Sequence, residues 1–143
     1  MYKDSAKNLV TKYIENVWNN ADMETFDELT SKTYTYHLGG QPAKDRTAMK
    51  EFLQMVHSAF PDWKVQIKNM VSQGNGVAIR WSGKVTHQGI FHGLPATGRQ
   101  IFVTGINMHT IENGKISREW EQMDSLGMLQ QLGVLPQSEN GNK

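Results

Sequence analysis

Apolar residues recur at helical spacing near the start of the chain: Ala6, Leu9, Val10, Tyr13, Ile14, Val17 and Trp18. The spacing predicts one amphipathic helix, with Asp4 or Ser5 able to cap its start. "ADMETFDELT" repeats the pattern briefly through Met23, Phe26 and Leu29, which predicts a second, short helix. "KTYTYHL" is rich in β-formers and reads as a strand. A third helix is expected from about Asp45 to Phe60, buried through Ala48, Phe52, Met55, Val56, Ala59 and Phe60, and stopped by Pro61.

After Pro61 the period changes from 3.6 to 2. "DWKVQIKNMVSQ" and "GVAIRWSGKVTH" alternate and are joined by "GNG", which supplies the positive φ of a tight hairpin. "GIFHGLPATGRQ" is a Gly/Pro-rich loop flanked by His87 and His92, both expected half-exposed or loop-fixing. "IFVTGINMHTIE" and "KISREWEQM" predict two more strands around "NG", the best short hairpin signal present. A last helical turn covers "SLGMLQQL", and a polar tail from about residue 136 to 143 is expected to be disordered.

Helices first and antiparallel strands afterwards predict an α+β domain, one unit over residues 1–143, with helices packed on one face of a sheet. Both parities of the late strands are apolar: Phe102, Ile106 and Met108 on one, Ile101, Val103 and Ile111 on the other. The face not covered by helices is too apolar for water, which points to a homodimer or homotetramer formed through the sheet.

Composition narrows the function. A formal charge of +1 with scattered Lys and Arg gives no reason to expect nucleic acid. No apolar run approaches the ~20 residues of a membrane span, and "MYKDSAKNLV" has no signal-peptide core, so a cytoplasmic location is expected. The absence of cysteine removes disulfides, iron–sulfur clusters and thiolate chemistry. His37, His57, His87, His92 and His109 are too dispersed for a metal motif, so no metal is expected.

What remains is a set of acids. "SREWEQMD" carries Glu119, Glu121 and Asp124 at the end of the last strand. In an extended chain Ser117, Glu119, Glu121 and Met123 share one face, opposite Gly105, Asn107 and His109 of the hairpin partner. If those odd faces point inward, burial raises the carboxyl of Glu121 from about 4.3 towards neutrality, which suits a proton shuttle. Asn107, an amide on an apolar strand, is a candidate partner for a ligand carbonyl. Asp124 precedes "SLGMLQQL" and is placed to cap that helix, with contact to a ligand as the alternative. Glu119 lies nearer the turn and is expected at a solvated rim. Trp18, Phe60 and Trp63 are core residues by default and candidate walls of a pocket for a flat apolar ligand.

The order of elements, with "YIENVWNNADMETFDEL", "AFPDWKV", "THQGIFHGLPATGR" and "IENGKISREWEQMDSLGMLQQLG", resembles the SnoaL-like polyketide cyclase (ester cyclase) family. The likeness runs from residue 10 to 133. One departure is Ala96, where the family loop usually has a second proline after Pro95. The resemblance implies the cone-shaped nuclear-transport-factor-2-like fold shared with ketosteroid isomerase. It also implies a cofactor-independent intramolecular aldol cyclisation with one strand carboxylate as acid/base. That carboxylate, an Asp in the family, falls on Glu121. A pocket histidine falls on Asn107, and a pocket asparagine on His37, which makes His37 a candidate ligand contact. His109 joins it as a candidate on the same strand as Asn107. The ligand implied is a small, hydrophobic, carbonyl-containing compound. Another acid/base enzyme (isomerase, dehydratase or hydrolase) and a non-enzymatic binder of hydrophobic metabolites stay open beside it.

Overall fold

The computed structural model describes residues 2–136, with side chains from Ser5 onward. From residue 137 on, the expected disordered tail lies outside the described residues.

The elements follow the order α1 (Tyr2–Tyr13), a π-helical turn (Ile14–Trp18), α2 (Met23–Leu29), β1 (Thr30–Leu38), α3 (Arg46–Ala59), β2 (Gln66–Gln73), β3 (Gly76–Thr86), β4 (Gln100–Glu112), β5 (Lys115–Met123) and α4 (Ser125–Leu132). Local chemistry explains most of the ends. Asp22 and Asp45 cap α2 and α3 by accepting from the backbone N–H of Thr25 and Ala48. Asn113 and Gly114 both take positive φ, 52° and 74°, as a two-residue hairpin turn between β4 and β5 demands.

The sheet runs β1-β5-β4-β3-β2. All neighbours are antiparallel except β1, which lies parallel against β5. The first strand of the sequence therefore docks on the last, and α1 with its π-helical turn, α2 and α3 cover the inner face. Val10, Tyr13, Ile14, Val17, Phe26, Met49, Leu53 and Val56 pack there against Val77, Ile79, Trp81, Ile101, Val103 and Ile116.

Two details differ from the sequence reading. The buried seam of α3 runs through Met49, Leu53, Val56 and Ala59, while Ala48, Phe52 and Met55 are only half-buried. Phe52 is half-open because it borders a cavity rather than the close-packed core. The first helix also does not stay regular to Trp18: the N–H of Asn19 bonds the carbonyl of Ile14, five residues back, at 3.0 Å. His57 of α3 holds the carbonyl of Trp18 at 2.7 Å, and the side chain of Asn19 bonds both backbone groups of Val65. These contacts fix the widened turn.

Parity on β4 is clean. Ile101, Val103, Asn107 and His109 are buried, whereas Phe102, Ile106 and Met108 remain 46%, 55% and 48% exposed on the outer face. Val71 of β2 adds to that face. No helix among the described residues is long and apolar enough to cross a membrane.

Candidate active site

The register of the sheet builds the site. On the inner face, Asn107 of β4 pairs with Glu121 of β5, and His109 pairs with Glu119. Parallel pairing brings Leu38 of β1 beside Glu121 and Tyr36 beside Glu119. Two carboxyls two residues apart thus lie on one pleated face, a pleat apart.

Glu121 is 4% exposed and forms part of the wall of a cavity of about 200 Å³. The remaining wall is almost wholly apolar: Trp18, Leu38, Phe52, Val56, Phe60, Trp63, Phe91, Met123, Met128 and Leu129. Gln41, His92 and Ser125 supply the other polar groups, and all three are exposed. The Oε1 atom of Glu121 accepts from the hydroxyl of Tyr36 at 2.8 Å and from the Nδ2 of Asn107 at 3.3 Å. Among the described residues no donor reaches Oε2. Burial, then the negative charge of Glu119, push the Glu121 carboxyl up to about 7, against the lowering effect of its two hydrogen bonds. It is therefore poised to hold or release a proton near neutral pH.

Glu119 is not at a solvated rim. It is fully buried, and its two oxygens accept five hydrogen bonds. The hydroxyls of Tyr13 and Tyr34 reach Oε1 at 2.5 and 2.8 Å. Trp18 Nε1, Asn107 Nδ2 and His109 Nε2 reach Oε2 at 3.0, 2.7 and 3.2 Å. Burial pushes this carboxyl up, but the hydrogen bond and charge of His109, helped by the tyrosine hydroxyls, outweigh it and leave the group below its usual range. The π-helical turn makes part of this cradle. Tyr13, just before the turn, and Trp18, at its end, each reach a different oxygen of the same carboxylate.

The other expected site residues divide. Trp18, Phe60 and Trp63 do line the cavity with Glu121. Asn107 does not reach it; it borders a small adjoining chamber, of about 10 Å³, with Glu121, Trp63 and Trp81. Its amide is also fully used by protein partners, since Trp81 Nε1 donates to Oδ1 at 2.8 Å and Nδ2 serves both acids. The expected ligand contact by Asn107 is replaced by a bridge between carboxylates.

His37 does not line the cavity of Glu121. Tyr34 and Tyr36 take the inner face of β1, so His37 points outward, stacks on Trp120 with ring centroids 5.5 Å apart, and bonds Thr35. His109 sits behind Glu119, away from the cavity, with its ring nitrogens facing two acceptors, Glu119 and the carbonyl of Val77. Asp124 caps α4, accepting from Gly127 N–H at 2.8 Å, and does not line the cavity. His87 is wholly buried rather than half-exposed, and its Nδ1 fixes the loop through the N–H and hydroxyl of Thr97.

Tyr13, Tyr34 and Tyr36 are the functional residues that sequence reasoning missed. Alternation in "TYTYH" was the available signal, since the two tyrosines occupy one parity and Thr35 and His37 the other. Among the described residues, no group of three or more His, Asp or Glu side chains is placed to hold a metal ion.

Comparison with known proteins agrees with this architecture. The solved structure of IdmH, a candidate polyketide cyclase from Streptomyces antibioticus, is 30% identical, with a TM-score of 0.78 over 90% of this chain and 99% of that one. A candidate polyketide cyclase from Acidithiobacillus ferrooxidans is 28% identical, with a TM-score of 0.79 over 90% and 94%. AclR, a candidate hydroxylase from Streptomyces galilaeus, shares the fold at 23% identity, with a TM-score of 0.85 over 95% and 85%. No curated protein matches the sequence. The profile of the SnoaL-like polyketide cyclases matches residues 8–132, and the chain, α+β with a mostly antiparallel sheet in the nuclear-transport-factor-2-like manner, belongs to that family.

Proposed function

We propose that the protein is a cofactor-independent acid/base enzyme that closes a ring in a small, apolar, polyketide-like carbonyl compound by intramolecular aldol addition. The observation that carries this reading is the Glu121 carboxyl, buried in the wall of an apolar cavity with one oxygen free of partners among the described residues. A carbon between two carbonyls enolises readily, so the chemistry asks only for a proton carrier and a folded substrate. The apolar walls hold the chain so that enol carbon and target carbonyl meet, which supplies the proximity effect. As the carbon–carbon bond forms, neutral Glu121 gives its proton to the carbonyl oxygen, which becomes a hydroxyl. The enol O–H then returns a proton to the Glu121 carboxylate as that oxygen becomes a carbonyl. No net proton is gained or lost, and Glu121 is restored.

The ligand is a neutral molecule on this reading, since no Lys or Arg among the described residues lines the cavity. Simple sequestration does not need a carboxyl held near neutral pH, so the titration of Glu121 favours chemistry over binding alone. A hydrolase would call for a second acid free to position water. Glu119 is the second buried acid, but its oxygens are taken by five donors. The partner we propose for the exposed sheet face is a second copy of the chain.

The test is Glu121→Gln assayed with a linear triketone ester, whose carbon between the ester and the first ketone adds to the terminal ketone. The aldol then loses water to a resorcylate ester that is followed by absorbance. Turnover is expected to vanish while the variant still folds and binds the triketone. Turnover within about threefold of the parent refutes the role.

A further inference from the structure

The acid that the proposed reaction does not touch is the most heavily hydrogen-bonded side chain of the site. Two tyrosine hydroxyls, an indole N–H and an amide N–H donate to Glu119, and the imidazole Nε2 of His109 lies 3.2 Å from Oε2. The indole and the amide N–H can only donate, so the pocket matches the anion better than the neutral acid. Glu121 has the opposite surroundings. Two donors meet on its Oε1, nothing among the described residues reaches Oε2, and the apolar cavity adjoins it. One amide touches both acids: Asn107 Nδ2 lies 2.7 Å from Glu119 and 3.3 Å from Glu121.

We propose that Glu119 is a positioning residue for Glu121: a carboxylate held as an anion one pleat away, it keeps a proton on Glu121 through like-charge repulsion, while the Asn107 amide that both acids share occupies Oε1 and leaves that proton to Oε2. The inference rests on Glu121 being the proton carrier. Two like charges this close resist being ionised together, so the acid with fewer hydrogen bonds keeps its proton. The shared amide and Tyr36 both engage Oε1, which leaves Oε2 to carry the hydrogen and hand it to a ligand carbonyl. The titratable groups packed against the pair are Tyr13 from α1, Tyr34 and Tyr36 from β1, and His109 from β4; His92 stands across the cavity. The three tyrosines stay neutral, since burial and then the nearby carboxylates push their hydroxyls well up. His109 lies behind Glu119 and anchors the anion rather than shielding Glu121.

The test is a carboxyl-carbon NMR titration of the parent and of Glu119→Gln, with Glu121→Gln used to assign the Glu121 resonance. In the parent, Glu121 is expected to titrate near neutrality while Glu119 stays ionised into the acid range. In Glu119→Gln the Glu121 midpoint is expected to fall by about one unit, and the pH midpoint of triketone turnover to fall with it, with little change in KM. A folded Glu119→Gln protein whose Glu121 midpoint does not move overturns the proposal, whatever its turnover. A Glu121 midpoint that falls without any shift in the turnover profile overturns instead the assignment of Glu121 as proton carrier. Glu119→Gln disturbs the buried contact with His109 and is at risk of unfolding. Glu119→Gln combined with His109→Gln replaces both members of that contact and repeats the measurement. Should neither fold, the parent titration decides: a Glu119 that gains its proton at or above the pH at which Glu121 does so overturns the proposal.

Discussion

The indole Nε1 of Trp81 donates to the Oδ1 of Asn107 at 2.8 Å. Indole N–H can only donate, so the contact assigns the oxygen of the Asn107 amide and turns its NH2 towards the two acids. Trp81 thereby sets the orientation of the group that links Glu119 to Glu121.

Gly105 pairs with Trp81 across the β3–β4 ladder, and a Cβ at that position meets the indole at 2.4 and 2.8 Å, on Cζ2 and Cε2. Trp81 is buried and has no room to yield. Gly105→Ala is expected to push the indole off Asn107, to lose about 2–3 kcal/mol of stability by overpacking, and to cut turnover more than triketone binding. Denaturant unfolding and kinetics check it; an Ala variant as stable as the parent contradicts the packing.

Tyr36 supplies the shorter of the two hydrogen bonds that hold Glu121 below the value burial alone would set. Tyr36→Phe removes that donor without adding volume. The Glu121 midpoint is expected to rise above its value of about 7 by up to about one unit, moving the turnover profile to higher pH. A midpoint that stays or falls, read by carboxyl NMR, contradicts the role of the hydroxyl.

Glu121 also marks stability. Its folded value of about 7 lies above the ordinary 4.5, so the folded protein binds this proton more tightly. The stabilising contribution is full below about pH 4.5 and is lost as pH rises through about 7. Glu119 has the opposite sign: its lowered value contributes stability above the ordinary value, lost as pH falls. Between about pH 4.5 and pH 8 the parent is expected to lose up to about 3 kcal/mol relative to Glu121→Gln. Parallel stability profiles of the two proteins contradict the burial of an ionisable group there.

Ile106 stands in the centre of the exposed strip between Phe102 and Met108. Ile106→Glu is expected to convert a dimeric or tetrameric parent into a monomer in sedimentation, because burying that charge in an apolar contact is costly. A parent that is already monomeric removes the proposed partner.

Local patterns made most of the fold legible. The period-2 alternation of β4 and β5 separated the inner from the outer side chains and put Asn107, His109, Glu119 and Glu121 on one face. The bulge where Ile111 pairs with Ile116 and Thr110 with Arg118 leaves that parity intact beyond Ser117. What local patterns could not carry is the long-range part. Glu119 looked solvated because its partners Tyr13, Trp18 and Tyr34 lie 106, 101 and 85 residues away along the chain. His37, a pocket position by the family resemblance, turns outward because β1 docks beside β5, at the far end of the sequence, with Tyr34 and Tyr36 on its inner face. The widened turn at Ile14 left no mark in the apolar spacing, since Val17 and Trp18 are buried with or without it.

On β4 the odd positions from Ile101 to His109 face the helices and the carboxylates, while the even positions Phe102, Ile106 and Met108 face outward. Two jobs are written in alternate letters of one word. Substitutions can rewrite either script without smudging the other, so adhesive surface and interior chemistry are free to drift separately. Deleting a single letter mid-strand exchanges the scripts and erases both.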